Sequence, residues 1–237
     1  MMSLISRLFW KSIPKPERML LLSLVNEPNR QIIDKTLTQK HSFPSHFDQY
    51  QCIFIHTPKV AGISLVDALG FADSHSWHLP LKYYEATEQD KFNQYFKFGF
   101  VRNPWDRLFS AYQFLKQGGI SNKDQSMSQL INHYSDFNDF VAKWLNEDSI
   151  TSMIHLAPMY RFFENQHGHI AADFIGRYEN LQQDYEVIRK RIGTGKTLPH
   201  KNASTKNDYK VQFSTKTIDK IALLYERDIV EFNYDFE

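Results

Sequence analysis

One stretch decides the fold of this chain: Gln51-Cys-Ile-Phe-Ile-His-Thr-Pro-Lys-Val-Ala-Gly-Ile-Ser64. Its first part, Cys52–Ile55, has the apolar, β-branched and aromatic composition of a strand buried on both faces. Pro58 has no N–H group and favours an extended conformation at the residue before it, so the strand is predicted to end there. Small residues and then apolar ones follow, which predicts a helix from about Gly62.

The turn between this strand and helix has the chemistry of a phosphate site. Unpaired N–H groups at a helix start, together with the positive end of the helix dipole, attract anions. Lys59 adds a full positive charge, and Thr57 and Ser64 add hydroxyl donors. The common nucleotide-binding loop has two glycines and a Lys-Ser/Thr pair after the second one, whereas here the lysine precedes the single glycine. The stretch therefore predicts a phosphate-binding turn of another kind.

A second strand and helix follow in Phe98-Gly-Phe-Val-Arg-Asn-Pro-Trp-Asp-Arg-Leu-Phe-Ser-Ala-Tyr112. Asn103 and Pro104 are a helix cap and a first helical residue. Arg102 comes at the end of the strand, where ligands of open α/β sheets bind, and its guanidinium can donate two parallel bonds to a phosphate. A third strand is predicted near residues 173–177, whereas 120–135 is predicted to be a mobile polar loop. Strands that alternate with helices predict a parallel sheet with crossover helices on both faces.

Together, residues 57–64 and 100–112 resemble the two cofactor-binding signatures of sulfotransferases, in the carbohydrate sulfotransferase branch that includes Golgi enzymes and bacterial relatives. Two further stretches resemble the same branch: Asp173-Phe-Ile-Gly-Arg-Tyr-Glu-Asn-Leu181 and Leu198-Pro-His-Lys-Asn-Ala-Ser204. The resemblance covers roughly residues 50–236. It implies an α/β fold with a P-loop-NTPase-like central parallel sheet flanked by helices on both faces. The sulfotransferase domain is predicted to occupy residues 51–237, after a helical or irregular extension at 1–50.

The resemblance also implies a reaction, namely transfer of a sulfuryl group from 3′-phosphoadenosine-5′-phosphosulfate to a carbohydrate hydroxyl, without a metal. The acceptor class is a polysaccharide, glycolipid or oligosaccharide. The implied residues near the 5′-phosphosulfate are Thr57, Lys59, Ala61, Gly62, Ile63 and Ser64. Those implied elsewhere along the nucleotide are Arg102 and Ser110 at the 3′-phosphate, with Arg107, Tyr178, Lys201 and Ser204.

Some of these roles have alternatives. Arg107 either contacts phosphate or forms an ion pair with Asp106 or Glu179, and Tyr178 either approaches the adenine or packs in the protein. Lys201 and Ser204 fall in a polar loop that is predicted to cover the nucleotide. The family's turn often has threonine where this chain has Val60 and Ile63, so two hydroxyl donors are missing.

Catalysis requires a group that stabilises the negative charge on the leaving oxygen and a base that takes the proton of the acceptor hydroxyl. Lys59 is predicted to neutralise the charge that builds on the bridging oxygen as the S–O bond breaks. A histidine is the natural base near neutral pH, and in this family it tends to follow the phosphate-turn helix. That segment contains His75 and His78. His78 is preferred and His75 is the alternative.

The amino-acid composition limits the classes of protein to which the chain can belong. The 237 residues fit one α/β domain, and the formal net charge of +1 does not predict a nucleic-acid partner. The single cysteine excludes an internal disulfide, and no stretch reaches the roughly 18–20 apolar residues of a membrane span. A cytoplasmic bacterial enzyme is therefore expected, whose apolar N-terminal segment either contacts a membrane surface peripherally or packs on the domain.

Two rival functions remain open from the sequence. One is a kinase or nucleoside-triphosphate hydrolase, although the Gly-Lys-Ser/Thr ending and a clear magnesium-binding carboxylate are missing. The other is a non-catalytic nucleotide-binding subunit of a polysaccharide-assembly complex. The acceptor and the oligomeric state are not predicted.

Overall fold

The computed structural model describes residues 9–10, 12–24, 43–71, 78–198 and 209–236. Three strands, β1 (Cys52–Ile55), β2 (Phe96–Val101) and β3 (Phe174–Arg177), form a parallel sheet in the order β1-β2-β3. Ile55 lies opposite Gly99, and Val101 lies opposite Arg177. The carboxyl ends of the three strands therefore meet at one edge. The predicted α/β class and parallel sheet are confirmed.

Helices connect the strands and follow them. Their bounds are α1 Lys15–Ser23, α2 Ser45–Tyr50, α3 Gly62–Leu69, α4 Leu81–Thr87, α5 Gln89–Gln94, α6 Pro104–Lys116, α7 Asn122–Ile131, α8 Phe137–Lys143, α9 Glu147–Ser152, α10 Tyr160–Phe163, α11 Leu181–Ile192, α12 Thr215–Leu224 and α13 Glu226–Phe232. Short 3-10 turns occupy Tyr178–Asn180 and Tyr209–Gln212. The helix predicted from Gly62 and the cap at Asn103 are both present, since the Asn103 side chain accepts hydrogen bonds from the first turn of α6.

One apolar core surrounds the sheet. Every residue of β1 is buried, as expected for a strand covered on both faces. Gly99 in β2 has no space for a side chain, because a Cβ there would lie 2.7 Å from the Phe163 ring and 2.8 Å from the Ile55 carbonyl oxygen. Phe43 and Phe47, which precede β1, belong to this same core.

A second core lies between α6, α7, α8 and α12. It includes Met127 and Ile131 of α7, in the segment that was predicted to be a mobile loop. That prediction is wrong. Ser121 and Asp124 form a reciprocal cap at the start of α7, and the two apolar side chains one turn apart bury one face of the helix.

A buried carboxylate on α13 connects this helix to the start of α10. Asp228 is fully buried and accepts hydrogen bonds of 2.7 Å from the N–H groups of both Met159 and Tyr160. Burial raises the pKa of Asp228 to about 6, although the nearby Arg107 guanidinium opposes that rise.

Helix α1 exposes apolar side chains. Leu20 is 68% exposed and the adjoining Leu24 is 81% exposed. Within the described ranges, no helix combines the length and the apolar character needed to cross a membrane.

Candidate active site

The turn between β1 and α3 presents a row of backbone donors. Lys59 and Ala61 have φ angles of +66° and +63°, in the left-handed region that non-glycine residues seldom adopt. The N–H groups of residues 59–64 donate no hydrogen bond to the described part of the chain. Successive N–H groups in such a turn form a concave anion site, and here they adjoin the start of α3.

A hydroxyl donor lies beside these N–H groups. Thr57 is completely buried, and its Oγ1 has no hydrogen-bond partner among the described residues. A buried polar atom without a partner is costly and calls for an explanation, such as a ligand at this position. Ser64, in the first turn of α3, is half-buried. The predicted phosphate-turn residues are thus brought together.

The start of α3 requires a glycine at position 62, because the His56 ring lies very close to its backbone. A Cβ on Gly62 would lie 1.8 Å from Nε2 of His56. The His56 ring in turn lies 4.4 Å from the His78 ring, and Nδ1 of His78 lies 2.6 Å from the His56 carbonyl oxygen. Because a carbonyl only accepts, Nδ1 of His78 carries the hydrogen in this contact.

Lys59 lies in a weakly polar environment. Its ammonium group is 4.1 Å from the centre of the Phe114 ring, and it forms no ion pair within the described part of the chain. Burial lowers the pKa of Lys59 to about 8. The positive charge of Arg102 lowers it further, whereas Asp124 raises it. Lys59 is therefore a cation near neutral pH whose proton is more easily lost than that of a surface lysine.

Arg102 connects the second motif to the first. Its Nε and Nη2 atoms donate to the two carboxylate oxygens of Asp106, each at 2.7 Å, and Nη1 donates to the Lys59 carbonyl oxygen at 3.1 Å. The Tyr178 ring lies 4.1 Å from its guanidinium carbon. A guanidinium has five N–H donors, so two of them remain for a ligand.

Ser110 and Arg107 occupy different environments on α6. Ser110 is half-buried, lies one turn beyond Asp106, and its hydroxyl forms no hydrogen bond with the described residues. Arg107 is fully buried and donates to the carbonyl oxygens of His155 and Ala157.

Neither alternative predicted for Arg107 is seen in this structure. It has no exposed surface for a phosphate, and it forms no ion pair with Asp106 or Glu179. Three other predicted residues, His75, Lys201 and Ser204, lie outside the described residues.

No pattern in the sequence points to His155, which lies between α9 and α10. Its Nε2 atom is 3.4 Å from Oδ1 of Asp124, and its ring is 5.0 Å from Phe114 and 6.2 Å from His78. Burial lowers the pKa of His155 to about 4, although Asp124 opposes that shift, so the ring is neutral at pH 7. The Ser121 and Asp124 cap pattern could have predicted α7, but no local signal connects that helix to His155.

The fold and this site define an α/β protein in which the turn after the first strand presents N–H groups that have no partner among the described residues. The chain belongs to the sulfotransferase family, since the model of the Sulfotransferase family matches residues 46–235.

Two relatives are similar to parts of the chain. Carbohydrate sulfotransferase 14 of Danio rerio is 32% identical over 118 residues, which cover 44% of this chain and 31% of that protein. An uncharacterized protein of Archaeoglobus fulgidus is 30% identical over 108 residues, 45% of this chain and 75% of that protein. The chain thus matches less than a third of the length of the Danio rerio protein. No solved structure matches the chain.

Proposed function

We propose that this protein transfers a sulfuryl group from 3′-phosphoadenosine-5′-phosphosulfate to a hydroxyl group of a carbohydrate. The observation that carries the proposal is the row of N–H groups at residues 59–64, which have no partner in the described chain and belong to a turn that includes Lys59. Membership of the sulfotransferase family and the similarity to a carbohydrate sulfotransferase support the reaction class and the acceptor class.

The donor nucleotide has anionic groups at two ends, so a protein that binds it needs two anion sites. The turn at residues 57–64 would hold the 5′-phosphosulfate through its backbone N–H groups, which reduces the need for the threonine hydroxyls that this turn lacks. The two remaining N–H donors of Arg102 and the hydroxyl of Ser110 would hold the 3′-phosphate. Tyr178, Lys201 and Ser204 would contact the rest of the nucleotide.

The donor supplies an activated sulfuryl group when it is bound, and the chain supplies positioning and charge. A bond forms between the acceptor oxygen and sulfur while the bond between sulfur and the bridging phosphate oxygen breaks. His78 would take the acceptor proton on Nε2, because its Nδ1–H group is donated to the His56 carbonyl. Lys59 would stabilise the negative charge on the departing oxygen. His75 remains the alternative base.

A binding measurement tests the donor. We expect 3′-phosphoadenosine 5′-phosphate to raise the melting temperature of the protein more than ATP with magnesium does. The reverse order would favour a kinase or nucleoside-triphosphate hydrolase and contradict the proposal.

Transfer of radiolabelled sulfate to a panel of glycans tests catalysis. Lys59→Ala and His78→Ala should each reduce the rate on the order of 10²–10³-fold. His133→Ala is the matched control, since Nδ1 of His133 also bonds a backbone carbonyl but lies in the exposed turn just after α7. Nucleotide binding without any transfer by the unaltered protein would favour the non-catalytic subunit instead.

We also propose that the N-terminal extension at residues 1–50 contacts a membrane surface. The apolar segment that predicts this contact, Ser3–Trp10, lies outside the described residues except for 9–10. The exposed Leu20 and Leu24 side chains support this, since apolar side chains on a surface helix partition into a lipid interface. Leu20→Ser with Leu24→Ser should reduce sedimentation with anionic vesicles. Equal sedimentation of both proteins would contradict the proposal.

A further inference from the structure

Four side chains from separate parts of the chain form a contact series that ends at Lys59. The Asp124 carboxylate on α7 faces Nε2 of His155 at 3.4 Å. The His155 ring lies edge-on to the Phe114 ring, with 5.0 Å between the ring centres and 65° between the planes. The Lys59 ammonium group lies 4.1 Å from the centre of that same Phe114 ring.

The far end of this series is held rigidly. Asp124 is 5% exposed, and its Oδ2 atom accepts hydrogen bonds from the N–H groups of Ile120 and Ser121. Burial acts to raise the pKa of Asp124, but these hydrogen bonds outweigh it and the net pKa lies below the usual value. Asp124 is therefore an ionised, fixed acceptor, and its other oxygen is directed at His155.

We propose that Asp124 and His155 are positioning residues that act through Phe114 to hold the Lys59 ammonium group beside the phosphate turn. The inference rests on the proposed function, because it concerns the group that would stabilise the departing oxygen. Nε2 of His155 faces Oδ1 of the fixed Asp124 carboxylate at 3.4 Å, and this electrostatic contact orients the ring. The fixed ring packs against Phe114, and the face of Phe114 attracts the ammonium group.

Asp124 also affects the pKa of Lys59 through its charge. Lys59 is influenced by Arg102, which disfavours its protonated form, and by Asp124, which favours it. His155 is influenced by Asp124 and by the positive or titratable groups His78, Lys59 and Arg107. Asp124 thus offsets the influence of Arg102 on Lys59.

A titration of Lys59 tests this without any substrate. The full chain is labelled with carbon-13 at the lysine ε position, and the Lys59 resonance is assigned from its loss in Lys59→Arg. We expect Asp124→Asn to lower the pKa of Lys59 by roughly half a unit to one unit.

Ser121→Ala is the matched control, because it weakens the cap of the same helix but has no contact with His155. It should lower the melting temperature and leave the Lys59 titration unchanged. An unchanged titration in Asp124→Asn, or an equal change in Ser121→Ala, would overturn the inference.

The kinetics of Phe114→Leu provide a second test. This substitution keeps a large apolar side chain at position 114 and removes the aromatic face. We expect kcat to fall roughly tenfold with little change in the KM for the donor, since Lys59 acts on charge that develops in the transition state. Equal kcat for Phe114→Leu and the unaltered protein would contradict a positioning role.

These tests separate the two hypotheses. If the unaltered protein neither binds the nucleotide nor transfers sulfate, the proposed function fails, while the lysine titration still reports whether Asp124 acts on Lys59. If the unaltered protein is active and the titration does not respond to Asp124→Asn, the positioning role alone fails.

Discussion

Gly62→Ala offers a quantitative test of how the phosphate turn is built. The added Cβ would lie 1.8 Å from Nε2 and 2.1 Å from Cδ2 of His56, whereas ordinary contacts begin at 3.4 Å. The ring would therefore need to retreat by about 1.6 Å. It has little freedom to do so, because it is 5% exposed and packs against the rings of Phe54 and His78.

Overpacking of this kind costs about 1–3 kcal/mol, and we expect Gly62→Ala to lie near the upper end of that range. The cost should depend on the His56 ring. In the double variant with His56→Ala the ring is gone, so the two changes should cost less together than the sum of the single variants, by about 1 kcal/mol or more. Nucleotide binding should weaken in Gly62→Ala and recover in part in the double variant.

Urea unfolding followed by tryptophan fluorescence measures these free energies. Gly70→Ala, just after the other end of α3, is the control: its φ angle is +76°, and no atom of the described residues lies within 4 Å of an added Cβ. It should cost about 1 kcal/mol through backbone strain alone and show no coupling to His56→Ala. A coupling between Gly62 and His56 below about 0.5 kcal/mol would refute the steric explanation.

Three further predictions concern charge. Asp228→Ala should cost about 2–3 kcal/mol at pH 7 by urea unfolding, since the buried N–H groups of Met159 and Tyr160 then lose their acceptor. The pKa of Asp228 is raised from 3.8 to about 6, so its protonation stabilises the fold below pH 4 and this contribution is lost as the pH rises through 6; the variant should lack that dependence. Arg102→Lys should weaken calorimetric binding of both 3′-phosphoadenosine 5′-phosphate and adenosine 5′-phosphate about tenfold, whereas Ser110→Ala should weaken the first alone. Sulfate transfer should decline above pH 8, where Lys59 loses the proton that its role requires, and a rate that stays level to pH 10 would contradict that role.

The elements that the sequence predicted well are those encoded within a few residues. A buried apolar run followed by proline defined the end of β1, and an Asn-Pro pair defined the start of α6. The order of strands and helices then limited the topology, because crossovers between parallel strands are almost always right-handed. The site residues Thr57, Lys59 and Arg102 follow the ends of strands, so their meeting at one edge could also be expected.

The parts that escaped prediction depend on contacts between distant residues. The polar composition of residues 120–135 predicted a loop. The segment nevertheless forms a helix, because two buried apolar side chains and one N-terminal cap are enough to stabilise it. His155 became a candidate through its contact with Asp124, 31 positions earlier in the chain, which no local pattern encodes. The burial of Arg107 likewise depends on carbonyl groups from the segment around residues 155–157.

Arg102 makes the two anion sites parts of one structure. The left-handed conformation at Lys59 is unfavourable for a residue with a side chain, so it persists only where surrounding contacts enforce it. The hydrogen bond from Arg102 to the Lys59 carbonyl is such a contact, and Asp106 holds the guanidinium in the orientation that forms it. The direction of the N–H groups in the first turn therefore depends on a residue of the second motif. An arginine that is already paired with a carboxylate can therefore still belong to the proposed site: its pairing with Asp106 maintains the turn, and its two remaining N–H donors are available to the proposed 3′-phosphate.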